Sequence, residues 1–203
     1  MDHSIEKLSE LFKHFPGIGA RQAKRFVYFL LQSDKAYVDK LAKEILDIKK
    51  GVQNCKECFR YFENENGTQE LCARCANPKI DKTLLLVVEK DSDLEAIERS
   101  HTYNGLFFVL GSLIPIAEKE TLMRARINEL REKIENRVPA EIIFAFSANP
   151  QGEHTDTYLR EIFHSYAETH KTKMTTLGRG LSTGTELEYS DKDTIKNALL
   201  GRH

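Results

Sequence analysis

No stretch of this 203-residue sequence approaches the roughly 18 consecutive apolar residues of a membrane helix. The longest candidate, FFVLGSLIPIA, is short and broken by Gly111 and Pro115. The amino terminus, MDHSIEKLSE, is polar from its second residue and lacks the pattern of a secretory signal, so the expected location is the cytoplasm, without membrane contact. Internal repeats and low-complexity linkers are missing. So is a G-x-x-x-x-G-K-[ST] loop, which argues against a P-loop ATPase. An excess of one charge is missing too: 30 Lys and Arg stand against 31 Asp and Glu. That balance hides a gradient. Residues 1–50 hold 10 Lys/Arg against 7 Asp/Glu, a balance of +3, and residues 83–203 hold 15 against 19, a balance of −4. A phosphate-binding surface belongs at the basic, amino-terminal end.

What is present falls into three zones, in a chain long enough for one domain or two small ones. Residues 1–50 have helical periodicity: Leu8, Leu11, Phe12 and Phe15 share one face, and Ala23, Phe26, Val27, Leu30 and Leu31 another. Residues 52–78 carry all four cysteines and little apolar content. From residue 83 strands (83–89, 106–110, 141–147, 173–177) alternate with helices (near 93–100, 119–135, 155–169), which predicts a mainly parallel sheet covered by helices. The fold class is α+β and multi-modular.

Cysteine is scarce, but its spacing is specific. Cys55-x₂-Cys58 and Cys72-x₂-Cys75 form two knuckles, each placing two thiolates on one side of a tight turn. Four thiolates close a tetrahedral Zn²⁺ shell, one ion per chain, with no position left for a reacting water. Two disulfides are the alternative, and a cytoplasmic chain disfavours them. The expected role is structural, because so short a segment with almost no core needs a staple.

The segment FPGIGARQAKRFVYFLL, residues 15–31, predicts two helices joined at Pro16-Gly17-Ile18-Gly19, with Gly17 and Gly19 where the backbone turns and Ile18 tucked back into the helix pair. Backbone N–H groups at the start of the second helix then face outward, an arrangement that receives phosphate. Arg21, Lys24 and Arg25 fall in its first two turns. This pattern resembles a helix-hairpin-helix motif, which grips the DNA backbone without reading bases. A plain helical hairpin with solvated arginines is the bland alternative.

Residues 84–98, LLLVVEKDSDLEAIE, raise a separate question, because carboxylates at the end of a buried strand often hold catalytic Mg²⁺. A topoisomerase–primase metal site takes one glutamate from the first strand end and a D-x-D from another strand. Glu89 fits the first role. Asp91 and Asp93 supply a D-x-D, but on what reads as the same loop as Glu89. The strand at 141–146 runs instead into Asn149 and Pro150, leaving Glu153 as its lone carboxylate. Without paired carboxylates, phosphodiester cleavage loses its charge stabilisation. Two decoys are dismissed. Gly180-Leu181-Ser182-Thr183-Gly184 matches G-x-S-x-G, yet only His203 follows it, and His154 beside Glu153 does not face it as an acid–base pair would.

Taken in order, these features resemble the bacterial RecR family of recombination mediators over essentially the whole chain. The residues carrying the resemblance are PGIG with Arg21 and Arg25, the four cysteines, VVE ending at Glu89, Tyr103 and Gly105 with VLG at 109–111, and Asn149-Pro150. Arg179-Gly180-Leu181, Gly184, Leu187-Glu188-Tyr189, Asp191 and Gly201-Arg202 extend it through the tail. Departures fall on the loops of the Toprim (topoisomerase–primase) fold. Phe107-Phe108 replaces an aromatic–histidine pair, IPIAEKE replaces a glycine-rich turn, and the loop after Asn149-Pro150 is about two residues shorter and lacks an acid before Gly152. Ser182 stands where proline is usual.

The resemblance implies four parts: a helix-hairpin-helix region at 1–51, a four-cysteine zinc module at 52–78, a Toprim domain at 79–178 and a helical tail at 179–203. It implies a non-enzymatic DNA-repair protein, a ring-shaped homo-oligomer of usually four subunits. Such a ring works with RecO, and in many bacteria RecF, to help RecA displace single-strand-binding protein at gaps in DNA. Glu89, Asp93 and Glu153 become acidic partner contacts in that setting. The competing readings are a Toprim-type nuclease or primase-like enzyme, and a zinc-stapled adaptor that binds only protein.

Overall fold

The structure is a computed structural model that describes residues 3–64, 67–116, 125–178, 180, 181, 184, 186–190 and 192–200. It divides into two compact units: residues 1–53 with 63–67, and residues 54–62 with 68–203.

In the first unit, α1 (His3–Lys13) packs on α2 (Ala20–Gln32), and α3 (Lys35–Gly51) follows. Asp34 starts α3, its carboxylate accepting the Tyr37 N–H at 2.8 Å. Ala23 and Val27 are buried, and Phe12 meets Phe26 edge-on at 5.7 Å. The rest of the predicted apolar faces stays largely open: Leu11, Phe15, Phe26 and Leu31 are exposed, as is Phe29 outside them, and no α3 residue is buried. Next in the chain come two short strands, β1 (Val52–Asn54) and β2 (Tyr61–Glu63), and the four-residue helix α4 (Ala73–Ala76).

The second unit is built on four strands: β3 (Asp81–Val88), β4 (Gly105–Val109), β5 (Glu141–Ala145) and β6 (Lys173–Thr176), in the order β4-β3-β5-β6. All three pairings are parallel. The two-residue period of a strand sends alternate side chains to opposite faces. One face carries Leu85, Val87, Leu106, Phe108, Ile142 and Phe144, and α6 (Ile127–Arg137) and α7 (Pro150–His170) cover it with Leu130, Ile134, Leu159 and Phe163. The other face carries Leu86, Val88, Phe107 and Val109. It is covered by Leu94 of α5 (Asp91–Ser100) and by Cys55, Cys58 and Cys72. The cysteine module therefore supplies part of that covering layer. The sequence sets residues 52–78 apart from the sheet; in the fold their cysteines share its core, because ten residues of α5 cannot cover that face alone.

Three expectations shift. The helix near 119–135 spans Ile127–Arg137, and residues 117–124 lie outside the described residues. Asp91 and Asp93 are not on a loop but in the first turn of α5, where carboxylates suit the helix dipole. The tail shows a 3₁₀ turn at Leu187–Tyr189 and a helix, α8, at Lys192–Leu200, while Arg179, Ser182, Thr183, Asp191 and residues 201–203 lie outside the described residues.

The entry to α7 is tight. Asn149 accepts the Gly152 N–H at 2.8 Å, and a Cβ on Gly152 would sit 2.0 Å from the Ser147 carbonyl oxygen. Gly152→Ala forces the backbone apart at the carboxyl end of β5, and we expect a loss of more than about 2 kcal/mol, read as a lowered denaturation midpoint.

Candidate metal centre and nucleic-acid interface

The cysteines lie on the turns flanking β1 and β2 and on α4. None of the four is joined in a disulfide. Their sulfurs all lie within 4.8 Å of one another, and Cys58 Sγ is 3.7 Å from Cys72 Sγ. A tetrahedron of sulfurs about 2.3 Å from a central ion has edges of about 3.8 Å, so the cluster fits a closed four-thiolate metal site. Hydrogen bonding with Cys58 lowers the Cys55 thiol, and hydrogen bonding with Cys55 raises the Cys75 thiol.

Around the cluster the module is fastened to the free edge of β4. The Cys58 carbonyl accepts the Val109 N–H at 2.8 Å. Arg74 donates to the carbonyls of Tyr103 (2.9 Å) and Gly105 (3.0 Å), and its guanidinium lies 4.7 Å from the centre of the Phe107 ring. Arg60 Nη1 reaches both Glu98 oxygens, at 2.8 and 2.7 Å, and the Tyr61 N–H donates to Asp91 at 2.7 Å. Glu57 meets Lys133 at 3.1 Å and Arg137 at 2.8 Å. Burial raises the Glu57 carboxyl, and these two cations more than reverse it, leaving it below its ordinary value. The spacing of the cysteines carried the metal ligands; nothing in it pointed to Arg60, Arg74 or Glu57, whose partners lie 29 to 80 residues away.

In the first unit the turn between α1 and α2 has the shape expected. The Ile18 N–H donates to the Phe15 carbonyl at 3.1 Å, and Ile18 is half-buried. Gly17 has φ +76°, a conformation other residues rarely adopt. Gly19 is different: its φ of −84° is open to any residue, so it is not needed for the turn. Open space surrounds it instead, since a Cβ there would meet nothing within 4 Å. Gly19 begins α2 with no side-chain cap, and the first turn holds no acid. The first N–H groups of α2 are therefore left for an outside acceptor. Arg21, Lys24 and Arg25 are exposed beside them, and among the described residues none of the three pairs with a carboxylate. No Asp or Glu occurs between Glu10 and Asp34.

The acids Glu89, Asp93 and Glu153 lie at the carboxyl end of the sheet, where ligands of parallel α/β sheets bind. Glu89 follows β3 and is half-buried, Asp93 sits in the first turn of α5, and Glu153 in the first turn of α7. Asp91 is occupied by the Tyr61 N–H. Among the described residues, the four cysteines are the one group of three or more His, Cys, Asp or Glu side chains placed to share an ion. The acids are thus not gathered into a cage. Gly184 of the G-x-S-x-G decoy is described, but its Ser182 is not. No helix among the described residues is long and apolar enough to cross a membrane.

Comparison with known proteins finds two matched regions and near full-length relatives. Residues 5–49 match the family described as "RecR, helix-hairpin-helix", and residues 83–177 match the Toprim domain. The recombination protein RecR of Acidothermus cellulolyticus is 34% identical over 198 residues, covering 98% of this chain and 95% of that protein. Its counterpart in Chloroherpeton thalassium is 33% identical over 204 residues, covering 98% and 96%. That of Bifidobacterium longum subsp. infantis is 32% identical over 201, covering 99% and 96%. With near full-length likeness, both matched regions and the four-cysteine cluster in place, the chain belongs to the RecR family.

Proposed function

We propose that this chain is a non-enzymatic, DNA-binding recombination mediator that assists RecO, and RecF where present, in loading RecA at single-stranded gaps. The observation that carries this reading is the uncapped start of α2 beside three exposed cations that pair with no carboxylate among the described residues, a surface suited to a phosphate backbone and blind to base sequence. Arg21, Lys24, Arg25 and the backbone at Gly17 and Gly19 form the DNA contact. One such surface binds weakly. Several around a homo-oligomeric ring, usually a tetramer in this family, add by avidity. The exposed Leu11, Phe15, Phe29 and Leu31 support self-association, which would take large apolar side chains out of water. The ion in the cysteine site is Zn²⁺, one per chain and structural. Glu89, Asp93 and Glu153 offer RecO and RecF an acidic face, and the protein works in the cytoplasm, at the nucleoid when bound to DNA.

A gel-shift titration on gapped DNA tests the reading. Binding should be clear at low salt and fall steeply as salt rises, since phosphate contacts release counterions. A protein-only adaptor shows no shift at any salt. The enzymatic alternative is tested alongside: with Mg²⁺ the protein should neither nick DNA nor extend a primer, and Glu89→Gln should leave DNA affinity unchanged. Turnover that Glu89→Gln abolishes would contradict the proposal.

A further inference from the structure

Gln22, Arg25, Phe26 and Phe29 are spaced three or four residues apart along α2, so they share one face of the helix. With Gly17 and Ile18 of the turn they line a cavity of about 580 Å³, within the roughly 300–1,000 Å³ usual for small-ligand sites. Two aromatic rings stand in its wall. Phe26 meets Phe12 edge-on at 5.7 Å and Phe29 meets Tyr37 edge-on at 5.9 Å, yet the two remain 40% and 56% exposed. The polar groups of the lining are one guanidinium and one amide, and no carboxylate is among them. Arg25 donates to Gln22 Oε1 at 3.3 Å, a long bond that yields readily to a better acceptor.

An apolar slot with a cation and no acid suits a flat, uncharged ring tethered to an anion. A nucleobase meets that description. Its faces stack on aromatic side chains whatever the base, and a guanidinium both stacks and donates to such rings. We propose that the cavity takes one unstacked base of single-stranded DNA while the adjoining phosphate sits at the start of α2, so that this surface selects single strand over duplex. The inference rests on reading the start of α2 as the DNA contact. Arg25 belongs to both surfaces, and the turn at Gly17 and Ile18 joins them. In a duplex each base is paired and stacked, and extracting one costs interactions that a single strand has already given up. Duplex therefore gains the phosphate contacts alone. An apolar peptide segment would fill the slot but leave Arg25 without an anion, so the nucleotide fits better. The base uses the cavity side of Phe29, and the rest of that ring's exposed surface stays available to self-association.

The test varies the DNA and leaves the full-length protein unaltered. Affinity is measured at one salt concentration for a thymidine oligonucleotide, for an abasic strand with the same number of phosphates, and for duplex of the same length. The thymidine strand should bind about tenfold more tightly than the abasic strand, the cost of losing a base–aromatic stack. Abasic strand and duplex should both fall to the level of phosphate contact. A strand carrying 5-iodouracil, irradiated and mapped by mass spectrometry, should crosslink to Phe26 or Phe29. Phe29→Ala should bring the thymidine and abasic strands toward equal affinity. Equal binding of the two strands by the unaltered protein overturns this inference and leaves the DNA-binding reading intact. A protein that binds none of the three DNAs overturns that reading and this inference with it. Crosslinks confined to residues outside the cavity also overturn the inference. So does a smaller oligomer of Phe29→Ala that keeps the full difference between strands, which would assign the cavity to a second copy of the chain. If Phe29→Ala does not fold, the strand comparison and the crosslinks of the unaltered protein decide.

Discussion

Arg21→Glu combined with Arg25→Glu is expected to abolish measurable DNA binding and to flatten what salt dependence remains. The two residues are one helical turn apart on α2, so both project beside the uncapped N-terminus. Reversal places two carboxylates where the helix dipole and free N–H groups await a phosphate. The repulsion repeats in every subunit of an oligomer, so the loss compounds through avidity. Stability should hardly move, because both side chains are exposed and their one side-chain hydrogen bond among the described residues, Arg25 to Gln22 at 3.3 Å, is weak. Surface changes of this type usually shift stability by less than about 0.5 kcal/mol. Metal content and oligomer size should also be unchanged. Lys24 lies about 100° around the helix, so Lys24→Glu alone should do less. A folded double variant that shifts gapped DNA with unaltered affinity would move the interface away from the start of α2.

Removing the metal should have the second large effect, and it should reach well beyond residues 52–78. Cys55, Cys58 and Cys72 belong to the same buried cluster as Leu86, Val88, Leu94, Phe107 and Val109. Structural Zn²⁺ sites in small peptides bind with an apparent strength of roughly 10–16 kcal/mol, about the whole folding stability of an ordinary domain. A sheet face that has lost part of its cover, with a bare β4 edge beside it, does not stay folded alone. Cys72→Ser, or a strong chelator, should therefore leave the second unit without a cooperative thermal transition and drive the chain into aggregates. Near-ultraviolet circular dichroism reports the loss of packing around Phe107 and Tyr103, and sedimentation reports the aggregation. An apo protein with an unchanged midpoint would show that the sheet is independent of the module after all.

The sequence made the periodic and the motif-like parts legible. The four strands were readable because β-branched and aromatic runs of strand length alternate with helical segments, and the ligands because C-x₂-C repeats. Burial was harder to read than secondary structure. Leu11, Phe15 and Leu31 have the spacing of a core face and remain exposed, since α1 and α2 cover only a narrow seam of each other around Ala23 and Val27. The role of Asp91 was missed because its partner is a backbone N–H 30 residues away, which no local pattern encodes. The fastening of the module to β4 was missed for the same reason. Arg74 reads as an ordinary surface cation until the fold brings Tyr103, Gly105 and Glu98 around it.

The measurement that bears most directly on the proposed function is RecA filament formation on gapped DNA coated with single-strand-binding protein. It is followed with RecO present, with and without this chain. The account predicts slow loading with RecO alone, a marked acceleration when the chain is added, and no acceleration from the Arg21→Glu, Arg25→Glu protein. Loading that proceeds at the same rate with and without the chain, while the chain is folded, metal-loaded and bound to the same DNA, would contradict it.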